Sequence, residues 1–177
     1  MMKILIISGS HSRHLYVHKK VMECGAECAA LVMERESVIP VCPSDVCSQD
    51  KHLFKRHFEE RLAAESEAYG NLNVVDVFKD IPHKICRPND LNSQENADFA
   101  RSIEADLAII FGPDIIKAPL LGALPEISIN MHLGLSPWYR GSATLFWPFY
   151  FLQPQFAGIT FHQITPKADA GPILHQP

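Results

Sequence analysis

Short apolar runs, each closed by a polar turn, constrain the fold of this chain more than any other feature of its sequence. Three of them cover residues 4–7, 29–33 and 106–111. Such runs are typical of strands buried on both faces of a parallel sheet, and helical spacing from Leu15 to Cys24 places a helix between the first two. Strand, helix and strand in this order predict an α/β fold, a mostly parallel twisted sheet with helices on both faces.

Further elements follow from periodicity and turn residues. Residues 40–50 are predicted to be a loop, and 53–69 an amphipathic helix closed by Gly70. Asn92 is the predicted N-cap of a helix reaching about residue 104, and Ser12 the predicted cap of the first helix. Strands are predicted over 127–132 and 158–164. Because the sequence contains no internal repeat and no linker-like segment, we expect residues 1–177 to form one domain.

Composition excludes several classes of protein. The chain is 47% hydrophobic and 20% charged with a formal net charge of -4, values typical of a soluble globular protein and unfavourable for nucleic-acid binding. The apolar runs at 4–7 and 143–152 are too short for a signal peptide or a membrane span. Five cysteines, an odd number, fit a reducing cytoplasm.

The strongest candidate site lies at the end of the strand over 127–132. Asn130 and His132 are two residues apart, so both side chains share one face near the carboxyl end of the strand, where open α/β sheets bind ligands. A loop rich in glycine follows over 133–141. Asp169 lies on a tight turn after the strand that carries His162. We expect Asn130, His132 and Asp169 to converge, and we interpret His162 as a packing or supporting residue.

Four spaced motifs carry a resemblance to a known family. They are Asn130-Met131-His132, the turn at 137–141, the strand at 158–162 and Asp169-Ala170-Gly171-Pro172-Ile173. In this order they resemble folate-dependent formyltransferases, which include glycinamide ribonucleotide, methionyl-tRNA and sugar-nucleotide formyltransferases and the related formyltetrahydrofolate hydrolase. Residues 4–15 and 111–121 add weaker support. The resemblance implies a Rossmann-like formyltransferase fold and transfer of a formyl group from 10-formyltetrahydrofolate to an amine, with no metal.

The resemblance also assigns roles. Asn130 would donate to the oxyanion, His132 would act as base or as cation, and Asp169 would stabilise an imidazolium or order a water. The implied contacts to the folate carrier are Pro113, Asp114, Ile115, Ile116, Lys117, Thr165, Lys167 and Ala168. The implied contacts to the acceptor are Ser10, His11, Ser12, Arg140 and Gly141.

Departures from the family pattern narrow the range of possible acceptor substrates. The branch that formylates a ribonucleotide carries a glycine and an asparagine where this chain has His11 and Arg13. We therefore expect a small-molecule amine, with a sugar nucleotide as the leading candidate. The turn over 134–137 also differs from the usual Ser-Leu-Leu-Pro. Since relatives continue beyond the aspartate loop, we expect a truncated or unusually short member ending at Pro177.

Other interpretations remain beside the leading one. The chain can be a hydrolase of the same carrier, or a binding module for folate or another metabolite without catalysis. A metal site is a weak alternative: His14 and His18 are four residues apart, as are Cys24 and Cys28, but the two pairs lie too far apart along the predicted helix to converge. A serine hydrolase is another weak alternative, because the turn at Ser136 lacks the second glycine of a nucleophile elbow. We interpret the aromatic run over 146–151 as mostly core, with a homodimer or substrate contact as the alternative.

Overall fold

The fold is built on one seven-stranded sheet. A computed structural model describes residues 1–35 and 39–177. The strands are β1 (Lys3–Gly9), β2 (Glu27–Met33), β3 (His83–Cys86), β4 (Leu107–Phe111), β5 (Ile127–Leu133), β6 (Ile159–Gln163) and β7 (Ile173–His175). Their order across the sheet is β3-β2-β1-β4-β5-β6-β7. The first five strands are parallel, and β6 and β7 are each antiparallel to the preceding strand.

Helices connect the parallel strands. They are α1 (Ser12–Met22), α2 (Ser48–Tyr69), α3 (Val74–Phe78), α4 (Gln94–Ser102) and α5 (Trp147–Tyr150). Short 3₁₀ turns lie at Pro88–Asp90, Leu121–Ala123 and Pro154–Phe156. The predicted sheet and its connecting helices are therefore confirmed. In the part of the chain that the structure describes, no helix combines the length and the apolar character that a bilayer crossing requires.

The core lies on both faces of the sheet. Alternate side chains of a strand point to opposite faces, so Leu5 and Ile7 pack with Ala100 of α4, while Ile4 and Ile6 pack with Leu15 of α1. This arrangement explains why the first strand reads as a continuous apolar run. The prediction of helices on both faces is confirmed.

Two predicted helix caps are wrong. Helix α1 already begins at Ser12, after His11, and no side chain caps it. Helix α4 is capped by Ser93, whose hydroxyl accepts the Asn96 N–H. Asn92 instead binds the segment after β4, because its side chain donates to the Ile115 carbonyl and accepts the Lys117 N–H.

The aromatic run is the other correction. Five rings are 40–64% exposed, so the interpretation as core is wrong; they are Phe146, Trp147, Phe149, Tyr150 and Phe151. Helix α5 has only four residues, and four of these rings contact one another: Phe146, Trp147, Tyr150 and Phe151. The dimer or substrate contact stays a prediction.

The weak metal interpretation finds no support in the described residues. Cys24 lies beyond the end of α1 and Cys28 is on β2, so the four candidate ligands do not share a helix. Among residues 1–35 and 39–177, no three His, Cys, Asp or Glu side chains are grouped to hold a metal ion. All five cysteines are free thiols.

Two buried histidines of α1 face the ends of β1 and β4. The His14 ring fills the space between Gly9 and Gly112, where a Cβ on either glycine would collide with it, and its edge meets Phe111 at 4.7 Å between ring centroids. Burial lowers the pKa of His14 to about 2, helped by the charge of Arg13, and burial lowers the pKa of His18 to about 4. Both imidazoles are neutral in the folded protein near pH 7.

This burial predicts a loss of stability in mild acid. Below the ordinary value of 6.5 the unfolded chain protonates both imidazoles, while the folded chain does not until pH falls to about 4 or lower. The free energy of unfolding should therefore decrease as pH falls from 6.5 to 4, by at most about 1.4 kcal/mol per pH unit for each histidine. Denaturant unfolding of wild type and His18→Leu at pH 7, 6 and 5 measures the slope. An unchanged slope in the variant would contradict the assignment to His18.

Candidate active site

The antiparallel pairing of β5 with β6 places four polar side chains on one face. Asn130 is the register partner of His162, and His132 is the partner of Thr160. Because side chains alternate along both strands, the Asn130 and His162 side chains point the same way as His132 and Thr160. Both histidines are buried.

Thr160 fixes the loop that follows β5. Its hydroxyl donates to the Gly134 carbonyl at 2.7 Å and accepts the Ser136 N–H at 3.0 Å. Among residues 1–35 and 39–177, the buried Ser136 hydroxyl has no hydrogen-bond partner, and so no base that could activate it. The described structure therefore disfavours the serine-hydrolase interpretation.

Asp169 reaches the same face from the loop between β6 and β7. Its backbone has φ of 47°, a left-handed conformation that aspartate tolerates better than most residues. Gly171 makes this loop possible, since a Cβ there would overlap the Gln163 carbonyl of β6. On the other side, the Gly141 N–H donates to Asp169 Oδ2 at 2.9 Å.

The structure brings together the three residues expected to converge. Asp169 Oδ1 lies 3.5 Å from His132 Nδ1 and 3.5 Å from Asn130 Nδ2. The same oxygen is 3.5 Å from His162 Nε2, which makes His162 a fourth member. This position fits the interpretation of His162 as a packing or supporting residue.

The carboxylate organises the charge of this cluster. Burial alone raises the pKa of Asp169, but contact with the protonated form of His162, the hydrogen bond from the Gly141 N–H and the charge of His132 outweigh it and lower the pKa below its ordinary value. Burial lowers the pKa of His162, yet the hydrogen bonds that its protonated form donates to Asp169 and to the Gln163 carbonyl raise it above its ordinary value overall. Asp169 is therefore ionised at neutral pH and favours a cation beside it.

Hydrogen bonding sets the tautomer of His132. Its Nε2 lies 2.9 Å from the carbonyl oxygen of Tyr139, which can only accept, so Nε2 carries a hydrogen. In the neutral ring Nδ1 then has the lone pair. This atom, next to Asp169, is the one that can take up a proton.

Comparison with known proteins identifies the family of this chain. Residues 2–177 match the protein family described as Formyl transferase. The chain belongs to the formyl transferase family. The family resemblance of the sequence motifs is thereby confirmed.

Individual relatives differ in length and activity. Over 106 residues, 55% of its length, the chain is 33% identical to the bifunctional polymyxin resistance protein ArnA of Wigglesworthia glossinidia brevipalpis, and it covers only 15% of that protein. The phosphoribosylglycinamide formyltransferase of Anaplasma phagocytophilum has a TM-score of 0.64 at 18% identity, covering 99% of this chain and 70% of that one. A formyltetrahydrofolate deformylase of Pseudomonas syringae pv. tomato str. DC3000 has a TM-score of 0.61 at 16% identity, covering 99% and 50%. The two structures share the predicted fold.

The residues that the resemblance implies as contacts to the folate carrier differ in exposure. Ile115 is exposed, whereas Ile116 is buried in the core. The Ile115 carbonyl and the Lys117 N–H are already bound by Asn92. In the second carrier segment, the Thr165 hydroxyl donates to the Lys167 carbonyl at 2.9 Å and holds the turn before Asp169. The remaining members, Pro113, Asp114 and Ala168, lie in the same two loops.

Near the residues implied to contact the acceptor, Arg35, which follows β2, binds residues at the ends of β1 and β4. Its N–H donates to Ser10 Oγ at 2.8 Å, its guanidinium donates to the Gly112 carbonyl at 2.8 Å, and it pairs with Asp114 at 3.2 Å. His11 stacks on His14, with ring centroids 5.5 Å apart. Sequence reasoning missed Arg35, which no local pattern marks.

The other residues implied to contact the acceptor occupy different places in the structure. The Ser12 hydroxyl donates to the Leu72 carbonyl at 3.5 Å, away from the sheet. Arg140 is exposed in the loop after β5. The Gly141 N–H is used to hold Asp169, so this group positions the carboxylate.

The tight fit of Gly171 gives a prediction about the position of Asp169. Gly171→Ala should push the aspartate loop off β6 and lower the free energy of unfolding by about 1–3 kcal/mol, as other insertions into packed contacts do. Gly122→Ala is the matched control, because an added Cβ there meets no atom within 4 Å. Thermal or denaturant unfolding measures both. Equal stability of the two variants would contradict the close contact.

Proposed function

We propose that this chain transfers a formyl group from 10-formyltetrahydrofolate to the amine of a small metabolite, as a single formyltransferase-like catalytic domain. The observation that carries the proposal is the convergence of Asn130, His132 and Asp169 at distances of 3.5 Å. A buried amide donor, an imidazole with a free Nδ1 and an ionised carboxylate are the groups that acyl transfer to an amine requires. The carrier, when bound, supplies the formyl group on a nitrogen that can leave.

Each residue has a defined part in the proposed reaction. The amine nitrogen forms a bond to the formyl carbon while the bond from that carbon to the carrier nitrogen breaks. Asn130 Nδ2 donates to the formyl oxygen as it gains negative charge, a contact worth about 2.7–4 kcal/mol in comparable sites. His132 Nδ1 receives the proton lost by the amine and returns it to the carrier nitrogen. Asp169 stabilises the imidazolium formed between these steps.

The start of α1 supports an acceptor other than a ribonucleotide. In the purine-pathway branch this loop binds a substrate phosphate, but here Ser10 accepts the Arg35 N–H and the His14 ring fills the space between Gly9 and Gly112. The His14 ring therefore occupies space beside this loop, although the Ser10 hydroxyl, which here accepts, can still donate. We therefore propose a sugar nucleotide or a similar small amine as acceptor, with its anionic part bound elsewhere, near the exposed Arg140.

The catalytic assignment predicts the effect of three substitutions. Asn130→Ala, His132→Ala and Asp169→Ala should each lower kcat for formyl transfer by at least about 10²-fold, since each removes one group from the reacting face. Release of tetrahydrofolate from the carrier, with a panel of candidate amines, measures the rate. His83→Ala, an exposed histidine on the edge strand β3, is the control and should keep the wild-type rate. Rates near wild type in the His132 and Asp169 variants would end the proposal.

Hydrolysis of the same carrier is the second candidate, because the chain also shares its fold with a formyltetrahydrofolate deformylase. The two reactions differ in the acceptor, an amine or water. Incubation with the carrier alone should release little formate if the chain is a transferase, and adding the right amine should raise the release of tetrahydrofolate. Formate released at the same rate with and without amines would favour the hydrolase. Binding of the carrier without turnover would instead favour the binding module.

A further inference from the structure

His162 and Asn130 form a hydrogen-bonded pair in which each atom has a defined role. His162 Nδ1 lies 3.0 Å from the Gln163 carbonyl oxygen, so Nδ1 carries the hydrogen and the neutral ring has its lone pair on Nε2. Asn130 Nδ2 lies 3.1 Å from that lone pair and therefore donates to it. The amide nitrogen, and not the oxygen, is thus turned towards His162.

This contact leaves one amide hydrogen for the reaction. The second hydrogen of Asn130 Nδ2 has only the long 3.5 Å contact to Asp169 Oδ1. A formyl oxygen entering the site can replace that long contact easily. An amide rotated by half a turn would instead present its carbonyl oxygen, which repels a developing oxyanion.

We propose that His162 is a positioning residue that fixes the orientation of the Asn130 amide, so that its NH₂ group faces the formyl oxygen. This inference rests on the proposed function, because it assumes that Asn130 is the oxyanion donor. His162 itself does not contact the reacting atoms. It acts by offering Nε2 as an acceptor on the far side of the amide.

The inference makes the protonation state of His162 important for the rate. A protonated ring would carry hydrogens on both nitrogens, and Nε2–H would face the Asn130 NH₂ group as a second donor. Rotation of the amide would relieve this repulsion and misplace the oxyanion donor. The charged and titratable groups facing His162 are Asp169 from the loop after β6, His132 from β5, and Arg140 from the loop after β5.

The sign of the pH dependence follows from these neighbours. The pKa of His162 is raised, because contacts with Asp169 and the Gln163 carbonyl outweigh burial. The ring is therefore protonated, and the amide misoriented, as pH falls through a value above the ordinary one. We expect kcat to decrease on the acid side while the KM for the carrier changes little, since the carrier-binding loops are not involved.

Two substitutions separate positioning from simple packing. His162→Phe keeps a ring of similar size but removes the acceptor, and should lower kcat by about 10- to 100-fold, less than the roughly 10²–10³-fold expected for loss of the donor itself. His162→Gln places an amide oxygen near the position of Nε2, and should recover kcat to within about tenfold of wild type. A packing role alone predicts the opposite order.

The test measures kcat and KM from pH 5.5 to 9 for wild type and both variants, with 10-formyltetrahydrofolate and the amine that reacts fastest in the panel. Wild type should show an acid limb whose position shifts in His162→Gln, because protonation at residue 162 no longer contributes to it. The limb persisting unshifted in His162→Gln, or a wild-type rate in His162→Phe, would overturn the inference. Should His162→Phe fail to fold, which its melting curve shows, the profile of His162→Gln still decides.

The Asn130→Ala variant distinguishes failure of the His162 inference from failure of the proposed function. An active Asn130→Ala enzyme would refute the role of Asn130 in formyl transfer, whatever the His162 variants do. If Asn130→Ala is inactive, the double variant with His162→Phe should be no slower than Asn130→Ala alone, because both changes act through one amide. A further loss of tenfold or more in the double variant would show that His162 acts by another route and would overturn the inference.

Discussion

The pairing register of β5 with β6 is the constraint on which the rest of this site depends. Directly opposed residues of antiparallel strands place their side chains about 5 Å apart on one face of the sheet. The register sets Asn130 opposite His162 and His132 opposite Thr160. A slip by one residue would turn all the members of one strand to the other face. Thr160 secures the pairing beyond the strand ends through its hydrogen bonds to the Gly134 carbonyl and the Ser136 N–H.

Asp169 adds a negative charge to the polar side chains of β5 and β6. It comes from a loop that lies against the edge of β6 only because Gly171 has no side chain, and its second oxygen is held by the Gly141 N–H. The carboxylate thus links the loop after β5 to the loop after β6. With one oxygen 3.5 Å from both histidine rings, it favours a proton on either of them. The other nitrogen of each ring faces a backbone carbonyl, of Tyr139 for His132 and of Gln163 for His162. The rings differ because the nitrogen of His162 that faces Asp169 also faces the Asn130 amide.

The carboxyl ends of the parallel strands are organised separately. There Arg35 joins the ends of β1, β2 and β4 through Ser10, Gly112 and Asp114, and His14 fills the space between two glycines. Asn92, which sequence reasoning assigned to a helix cap, holds the segment after β4 instead. These contacts pack this end of the sheet, but among the described residues buried nitrogens of His11, His14 and Arg35 have no hydrogen-bond partner there. The proposed chemistry lies on β5 and β6.

The sequence by itself determined five strands of the sheet, β1, β2, β4, β5 and β6, and most of the helices, because buried strands and amphipathic helices have local patterns of apolar residues. The three residues of the proposed catalytic cluster followed from the family resemblance of four spaced motifs. Only the tertiary structure decided what depends on contacts between distant segments. Residues 146–151 have the composition of a core, but α5 leaves their rings exposed. Arg35 and His162 gain their roles from partners on other strands, and hydrogen bonds across a sheet follow from register, which no single stretch of sequence specifies.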